Sequence, residues 1–192
     1  MVEISSMPLE VRNKIDRLSE SGISRDEAAF VLESCNMDEN EAAGKLTAKI
    51  VPQLESAMEP LTSEEESLET WNQELESLQS MYPESIQVLK PDSCYTIDLI
   101  KDFKLKLKIY RTTHYPSALP GIIVSTFDRN YKLPNYIKQK ILQNLLQYVA
   151  ASNLLGDMLV FHLYLWLQDH LKEIIETVSY THLRAHETCA DL

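Results

Sequence analysis

A run of six residues, 104–109, alternates strictly between lysine and a large apolar side chain, and Tyr110 follows it. Such a period of two places successive side chains on opposite faces of a β-strand. The sequence therefore predicts a strand with one buried face, and Lys104, Lys106 and Lys108 are expected on the other face. This strand constrains the fold most, because its buried face requires neighbouring strands and a covering layer.

Three more strand-like runs flank this one, beginning at Ile86, at Tyr95 and at Ile122. The short links between them predict an antiparallel meander of four strands with one face packed and one face in water. The lysine face is interpreted as solvated, with lysines that discourage edge-to-edge pairing if the strand is peripheral. A dedicated surface for an acidic partner or for RNA is the alternative.

Helical patterns stand on both sides of the strands. A capping box, Ser63 to Glu66, begins a helix whose apolar stripe includes Trp71, and Pro83 ends it. Two helices follow the strands, over about 135–152 and about 157–176. The order predicts an α+β sandwich with the helices on one face of the sheet.

Between the third and fourth strands lies Tyr-Pro-Ser-Ala-Leu-Pro, residues 115–120. Pro116 and Pro120 fix φ and lack backbone donors, so this segment is a rigid turn, and Tyr115 can bury its ring there. The turn, the element order and the helix end at Tyr82-Pro83 resemble the RWD domain over about 64–177. The resemblance implies a ubiquitin-conjugating-enzyme-like sandwich that binds proteins.

The first fifty residues contain three short helical patterns, with helix-capping sequences at Ser24 and Asp38. They resemble the ubiquitin-associated (UBA) domain, a three-helix bundle. The resemblance implies ubiquitin contact through Gly22, Ile23 and Leu46. So few apolar anchors imply weak or absent binding, no tighter than about 100 μM. Residues 51–63 contain two prolines, lack a sustained period and predict a linker.

No set of residues suggests catalysis. Ubiquitin-conjugating enzymes carry a nucleophilic cysteine downstream of the turn, and residues 126–134 contain neither cysteine nor histidine. Cys94 lies upstream without a helix N-terminus or an obvious base to activate it, so we expect a structural role. No phosphate-binding loop or metal-ligand cluster is present in the natural part, and neither a cofactor nor a metal is expected.

The composition of the chain indicates which classes of partner to expect. A net charge of −11 argues against direct nucleic-acid binding. Neither a signal peptide nor a membrane span is recognisable. Cysteine usage gives no disulfide framework, which fits a reducing, cytoplasmic setting. Protein partners are therefore expected.

The last fifteen residues require a separate interpretation. Residues 178–188 read VSYTHLRAHET, the translation of a common transposase-end sequencing adapter in one frame. We interpret 178–192 as a library artefact that should be disordered, so its histidines and cysteine are not metal-ligand candidates. The natural protein is expected to continue beyond this point.

A UBA-like bundle followed by an RWD domain resembles the N-terminal region of DEAH/DExH-box ATP-dependent RNA helicases. The resemblance implies a non-catalytic protein-interaction region ahead of a motor domain. One alternative is an RWD-containing regulator of translation or stress signalling, of the starvation-sensing kinase type. Another is a ubiquitin-pathway adaptor.

Overall fold

The computed structural model describes residues 3–56, 59–99, 104–127 and 133–190. Within them the chain forms six α-helices and four strands. In chain order these are α1 Leu9–Ser19, α2 Arg25–Ser34, α3 Glu39–Ala48, α4 Glu64–Met81, β1 Ile86–Lys90, β2 Cys94–Asp98, β3 Leu105–Tyr110, β4 Gly121–Thr126, α5 Asn135–Ser152 and α6 Leu159–Ala190. We call α1–α3 the bundle, and α4 to α6 with the four strands the sheet domain.

The four strands form one antiparallel sheet in the order β1-β2-β3-β4, so the predicted meander is confirmed. Leu107 of β3 stands opposite Ile97 of β2 and Val124 of β4. All three side chains point to the same face, which we call the inner face, and join the main core. The α+β class is confirmed.

The inner face is covered by α4, α5 and α6, as the sequence predicts. The capping box at the start of α4 is complete, because Ser63 and Glu66 each bond the other's backbone amide. Trp71 and Leu78 of α4 are fully buried against the sheet, as are Leu145 of α5 and Leu163 of α6. This layer holds the largest hydrophobic core of the molecule.

The opposite face of the sheet, which we call the outer face, is not solvated, so the expectation of a wet face is wrong. Cys94, Tyr110 and Ile123 lie on it, are at least 95% buried and share one core with the bundle. Helices therefore cover both faces of the sheet. The antiparallel meander and the lysines of β3 predict a wet face, but Cys94 of β2, Tyr110 of β3 and Ile123 of β4 make the same face apolar enough to bind the bundle.

The connection between bundle and sheet domain is packed rather than free. Val51 and Leu54 are buried in the main core, and a short 3₁₀ turn spans Pro52–Leu54. The connection therefore helps to hold the bundle against the sheet domain. The predicted boundaries at 50, 63 and 177 stay predictions.

Helix α6 differs from the sequence expectation at its C-terminal end. It continues through 178–190, where we expected disorder, because a helix begun in the core can extend without further packing once nucleated. The side chain of Tyr180 is 66% exposed, and Thr181 and Arg184 are exposed as well. The described side chains from Tyr180 onward thus add nothing to the core, and the last two residues of the chain lie outside the described ones.

Candidate functional site

Helix α3 approaches β4 closely enough that only glycine fits at two facing positions. A Cβ atom on Gly121 would stand 2.5 Å from Cβ of Ala43, and a Cβ on Gly44 would stand 2.4 Å from Cγ2 of Thr112. Distances under 3.0 Å are steric clashes. Gly121 therefore lets the helix backbone rest directly on β4, and Gly44 leaves room for the side chain of Thr112 in the chain after β3.

Thr47 of α3 completes the hydrogen bonding of this edge strand. The backbone N–H of Ile122 donates to Oγ1 of Thr47 over 2.9 Å, and that hydroxyl donates to the carbonyl of Ala43 over 2.8 Å. β4 ends the sheet, so the amide of Ile122 points away from β3 and would otherwise lack a partner. One buried hydroxyl thus blocks pairing at this edge.

The first turn of α3 holds the outer face through a charged network. Arg17 of α1 donates two hydrogen bonds to the carboxylate of Glu39, over 2.7 and 2.8 Å, and the hydroxyl of Tyr110 donates a third over 3.0 Å. Burial raises the pKa of Glu39, but the bonds from Arg17 and the other favourable contacts outweigh it, and the pKa is lowered overall. Glu39 is therefore a charged anchor between bundle and sheet.

The next two residues of α3 bind the loops that flank the sheet. The side-chain amide of Asn40 donates to the carbonyls of Ser93 and Arg111, over 3.2 and 2.9 Å. Glu41 accepts from the backbone N–H and the hydroxyl of Thr113, over 2.6 and 2.7 Å. Three consecutive side chains of one helical turn thus each hold a different part of the sheet domain.

The three candidate ubiquitin contacts lie at this seam rather than on open surface. Leu46 is 8% exposed and packs in the core shared with the outer face. Gly22 has φ +95° and lies against Asn135 of α5, where a Cβ would stand 3.2 Å from that residue's Cβ. Ile23 is half-buried and packs on the same core. The sheet domain therefore occupies the face that the UBA resemblance assigns to ubiquitin.

The loop that carries Gly22 is tied to the sheet domain by further bonds. The ammonium of Lys138 donates to the carbonyl of Glu20 over 2.8 Å, and the hydroxyl of Ser125 donates to its carboxylate over 3.0 Å. The amide of Gln139 donates to the carbonyl of Gly22 over 3.3 Å. This loop thus bridges β4 and α5 and lines, with Ile23 and Leu46, a cavity of about 400 Å³ between them.

The predicted lysine face is divided by the bundle. Lys104 is exposed and Lys106 half-buried, whereas Lys108 is only 8% exposed. The ammonium of Lys108 lies 5.5 Å from the ring centroid of Tyr110, in cation–π range. The three lysines therefore do not form one solvated surface.

The turn at Tyr115 links three parts of the sheet domain. The Tyr115 ring is fully buried, 5.8 Å from the ring of Trp71, and its hydroxyl donates to the buried carboxylate of Glu74 on α4. The backbone N–H of Leu159 donates to the same hydroxyl over 3.2 Å, and that of Phe161 donates to Glu74 over 2.9 Å. Glu74 and Tyr115 thus cap the start of α6.

Burial raises the pKa of the Glu74 carboxyl to about 6, and the hydrogen bonds from Tyr115 and the α6 amides only partly offset this rise.

The carbonyls that precede or belong to the prolines of the turn accept hydrogen bonds from other parts of the chain. The Tyr115–Pro116 bond is cis, and the N–H of Gly156 donates to the carbonyl of Pro116 over 2.7 Å. Leu119, just before Pro120, accepts from the hydroxyl of Thr112 over 2.8 Å. The signature residues are structural here.

Cys94 is 5% exposed beneath the bundle, and burial raises the pKa of its thiol to about 12. A neutral, covered thiol is a poor nucleophile.

No group of three or more metal-ligating side chains occurs among the described residues, and no helix there is long and apolar enough to cross a membrane. The sequence reading missed Glu39, Asn40 and Glu41, whose acidic pattern indicated only a helix start, and Glu74, which interrupts an apolar stripe.

Comparison with known proteins agrees with this geometry. The family model of the RWD domain matches residues 69–171, just over half of the chain. A Saccharomyces cerevisiae protein named as a putative ATP-dependent RNA helicase is 54% identical over 175 residues. That alignment covers 91% of this chain and 12% of the helicase, in its N-terminal part.

Proposed function

The chain belongs to the RWD domain family, and we propose that it is a non-catalytic protein-interaction region of an ATP-dependent RNA helicase. The observation that carries the proposal is the 54% identity to the helicase across bundle and sheet domain together. RWD domains mediate protein–protein interactions, so the region would recruit a partner to the motor. A cytoplasmic location is part of this proposal.

Two structural features support an interaction role. Cys94, the cysteine of the sheet, is buried and its thiol neutral, which opposes a conjugating-enzyme mechanism. The bundle is fixed to the sheet domain by buried polar and apolar contacts, so both parts present one rigid surface. A rigid surface loses little conformational entropy on binding and suits a recruiting module.

The helicase assignment is tested in the full-length protein. Deletion of residues 1–177 should leave RNA-stimulated ATP hydrolysis per molecule within about twofold, because the motor lies elsewhere. The same deletion should remove a subset of the proteins that cross-link to the full-length protein in cells. A protein carrying Asp169→Ala, a change at a single exposed side chain of α6, is the control and should keep every partner.

Two results would overturn the assignment. If the deletion abolished ATP hydrolysis while all partners stayed, the region would be part of the motor. If the complete coding sequence carried a kinase lobe and no helicase motifs, the chain would belong to the starvation-sensing type of regulator.

The bundle itself we assign to cis docking rather than to ubiquitin binding. Leu46 is buried against the outer face and Gly22 against α5, so ubiquitin would have to displace the sheet domain. NMR titration of the intact chain with ubiquitin to about 1 mM, a binding free energy of roughly 4 kcal/mol, should shift no amide. Saturable shifts confined to Gly22, Ile23 and the end of α3 would refute this assignment.

A further inference from the structure

A cleft lined mainly by cations opens where the bundle meets the outer face of the sheet. Its volume is about 480 Å³. Its charged lining consists of four cations and two carboxylates: Lys14, Arg17, Lys90 and Lys108, with Asp38 and Glu39. The lining therefore has a formal charge of +2, in a chain whose net charge is −11. Such a local reversal of sign marks a place where an anion is attracted.

Lys108 is the cation that most requires an anion. Its side chain is 8% exposed, and its ammonium has neither a hydrogen bond nor an ion pair within the described part of the chain. It lies 5.5 Å from the ring centroid of Tyr110, and its charge helps to lower the pKa of Glu39. The cleft is where the Lys108 side chain meets solvent, so its charge is open to an anion there.

The two carboxylates of the cleft are already engaged by other groups. Glu39 accepts two hydrogen bonds from Arg17 and one from Tyr110. Asp38 caps α3 and accepts from two backbone amides of its first turn, over 2.9 and 3.1 Å. Neither carboxylate is within ion-pair distance of Lys108. Of the four cations, Arg17 is paired with Glu39 and Lys14 lies 3.9 Å from Glu10, so the charges of Lys90 and Lys108 are left for a ligand.

We propose that this cleft binds a phosphate group, carried by a phosphorylated side chain of the protein partner. A phosphate monoester carries about −1.5 to −2 charges at neutral pH, which matches the +2 of the lining. The ammonium groups of Lys108 and Lys90 supply its donors, three from each lysine, and Lys14, which already donates to the carbonyl of Met37 over 3.0 Å, can add to them. The identity of the carrier as a protein rests on the proposed function.

The charge of the rest of the chain favours a single phosphorylated side chain over RNA. Outside the cleft the chain has a formal charge of −13, which repels a polyanion strongly and a single side chain far less. A cleft of this size accepts one anionic group, whereas a nucleic-acid strand requires a row of cations along its backbone. The partner is therefore recognised at one modified residue.

The test is an NMR titration of the intact chain with five probes: inorganic phosphate, a short phosphoserine peptide, its unphosphorylated twin, the same peptide with glutamate in place of phosphoserine, and single-stranded RNA. We expect saturable shifts at the amides around the cleft, among them Lys90, Ser93 and Lys108. The phosphopeptide should bind more tightly than phosphate, and the unphosphorylated peptide should not bind. Lys108→Met should weaken phosphopeptide binding at least roughly tenfold.

Lys106→Met is the matched control, because Lys106 lies on the same strand and face, outside the cleft lining. It should change the affinity by less than about twofold. Lys90→Met, at an exposed cleft position, replaces Lys108→Met if that variant does not fold, as judged by circular dichroism.

Four results would overturn the site. These are no saturable shift with about 20 mM phosphate or phosphopeptide, equal weakening by Lys106→Met and Lys108→Met, equal affinity for a glutamate peptide, and tighter binding of single-stranded RNA at the cleft. Each is measured on the isolated chain. The phosphate site can therefore be refuted even if the full-length protein loses its partners on deletion of residues 1–177. This separates the test of the site from the test of the proposed function.

Discussion

Glu74 shows how one buried carboxylate connects three segments of this chain. It belongs to α4, accepts a hydrogen bond from Tyr115 in the turn and caps the first turn of α6. Its sequence neighbourhood, Gln73-Glu74-Leu75, gives no sign of this role, because glutamate is common on exposed helix faces. The residue scale is where tertiary contacts change the chemistry most, and two predictions belong to it.

The first prediction concerns pH. The pKa of Glu74 is raised in the folded state to about 6 from 4.5, so the folded state favours the protonated carboxyl. The stability that this preference contributes is complete below pH 4.5 and is lost as the pH rises through 6. The loss is about 2 kcal/mol in the free energy of unfolding. Glutamine does not titrate. The free energy of unfolding of Glu74→Gln should therefore rise by about 2 kcal/mol relative to that of wild type as the pH is raised from 4.5 to 7.

Urea unfolding at a series of pH values measures this difference. Glu76→Gln, an exposed change on the same helix, is the control and should follow wild type at every pH. Parallel curves for wild type and Glu74→Gln would contradict the assignment of a raised pKa.

The second prediction concerns Tyr115. Because the ring is fully buried, Tyr115→Ala should lower the free energy of unfolding by roughly 3 kcal/mol or more. Tyr115→Phe keeps the ring and removes the hydroxyl bond to Glu74, which should cost about 1–3 kcal/mol. Urea midpoints measure both, and a midpoint for Tyr115→Ala equal to that of wild type would show that the ring is not a packing anchor.

At the scale of elements, the contact between α3 and β4 decides how the bundle is placed. A helix with small residues at successive positions can lie directly on a strand, and Ala43 with Gly44 provides this surface. Thr47 then satisfies the edge amide of Ile122. The bundle thus protects the sheet edge that an isolated sheet domain would expose.

The third prediction tests this edge. Thr47→Val keeps the shape of the side chain and removes the acceptor, so the buried amide of Ile122 loses its partner at a cost of about 1–3 kcal/mol. Thr47→Ser retains the hydroxyl and should keep the hydrogen bond. Amide hydrogen exchange at Ile122 is the direct measurement: it should accelerate in the valine variant and stay near wild type in the serine variant.

At the scale of the whole molecule, bundle and sheet domain share one hydrophobic core on the outer face. Cys94, Tyr110 and Ile123 of the sheet pack with residues of all three bundle helices. The polar contacts of Glu39, Asn40 and Glu41 fix the orientation of the two parts. Two units connected in this way should unfold together.

The fourth prediction follows from that core. A chain of residues 1–177 should unfold in urea with a single transition, seen alike by tryptophan fluorescence and by circular dichroism. Residues 64–177 alone should be less stable and prone to association. Without the bundle, Tyr110 and Ile123 are exposed to water, and exposure of a large apolar side chain lowers the free energy of unfolding by roughly 1.5–3 kcal/mol. Two separate transitions in 1–177, or unchanged stability of 64–177, would show that the two parts are independent.

The sequence by itself determined the local elements and the fold class. Period-two alternation placed β3, helix caps at Ser24, Asp38 and Ser63 marked three helix starts, and prolines marked the end of α4 and the rigid turn. These signals are local, because backbone geometry and capping depend on neighbours a few residues away. The resemblance to the RWD domain rested on such signals, and the family match confirms it.

Only the tertiary structure decided what covers the outer face and which side chains are anchors. The contacting pairs are Gly44 and Gly121, Thr47 and Ile122, and Glu39 and Tyr110; each pair is 71 to 77 positions apart, and no local pattern pairs them. Their contacts depend on how the bundle docks, which is a sum of many weak, distant interactions. For that reason a lysine that the sequence assigned to solvent is buried, and a leucine that the sequence assigned to ubiquitin packs against the sheet.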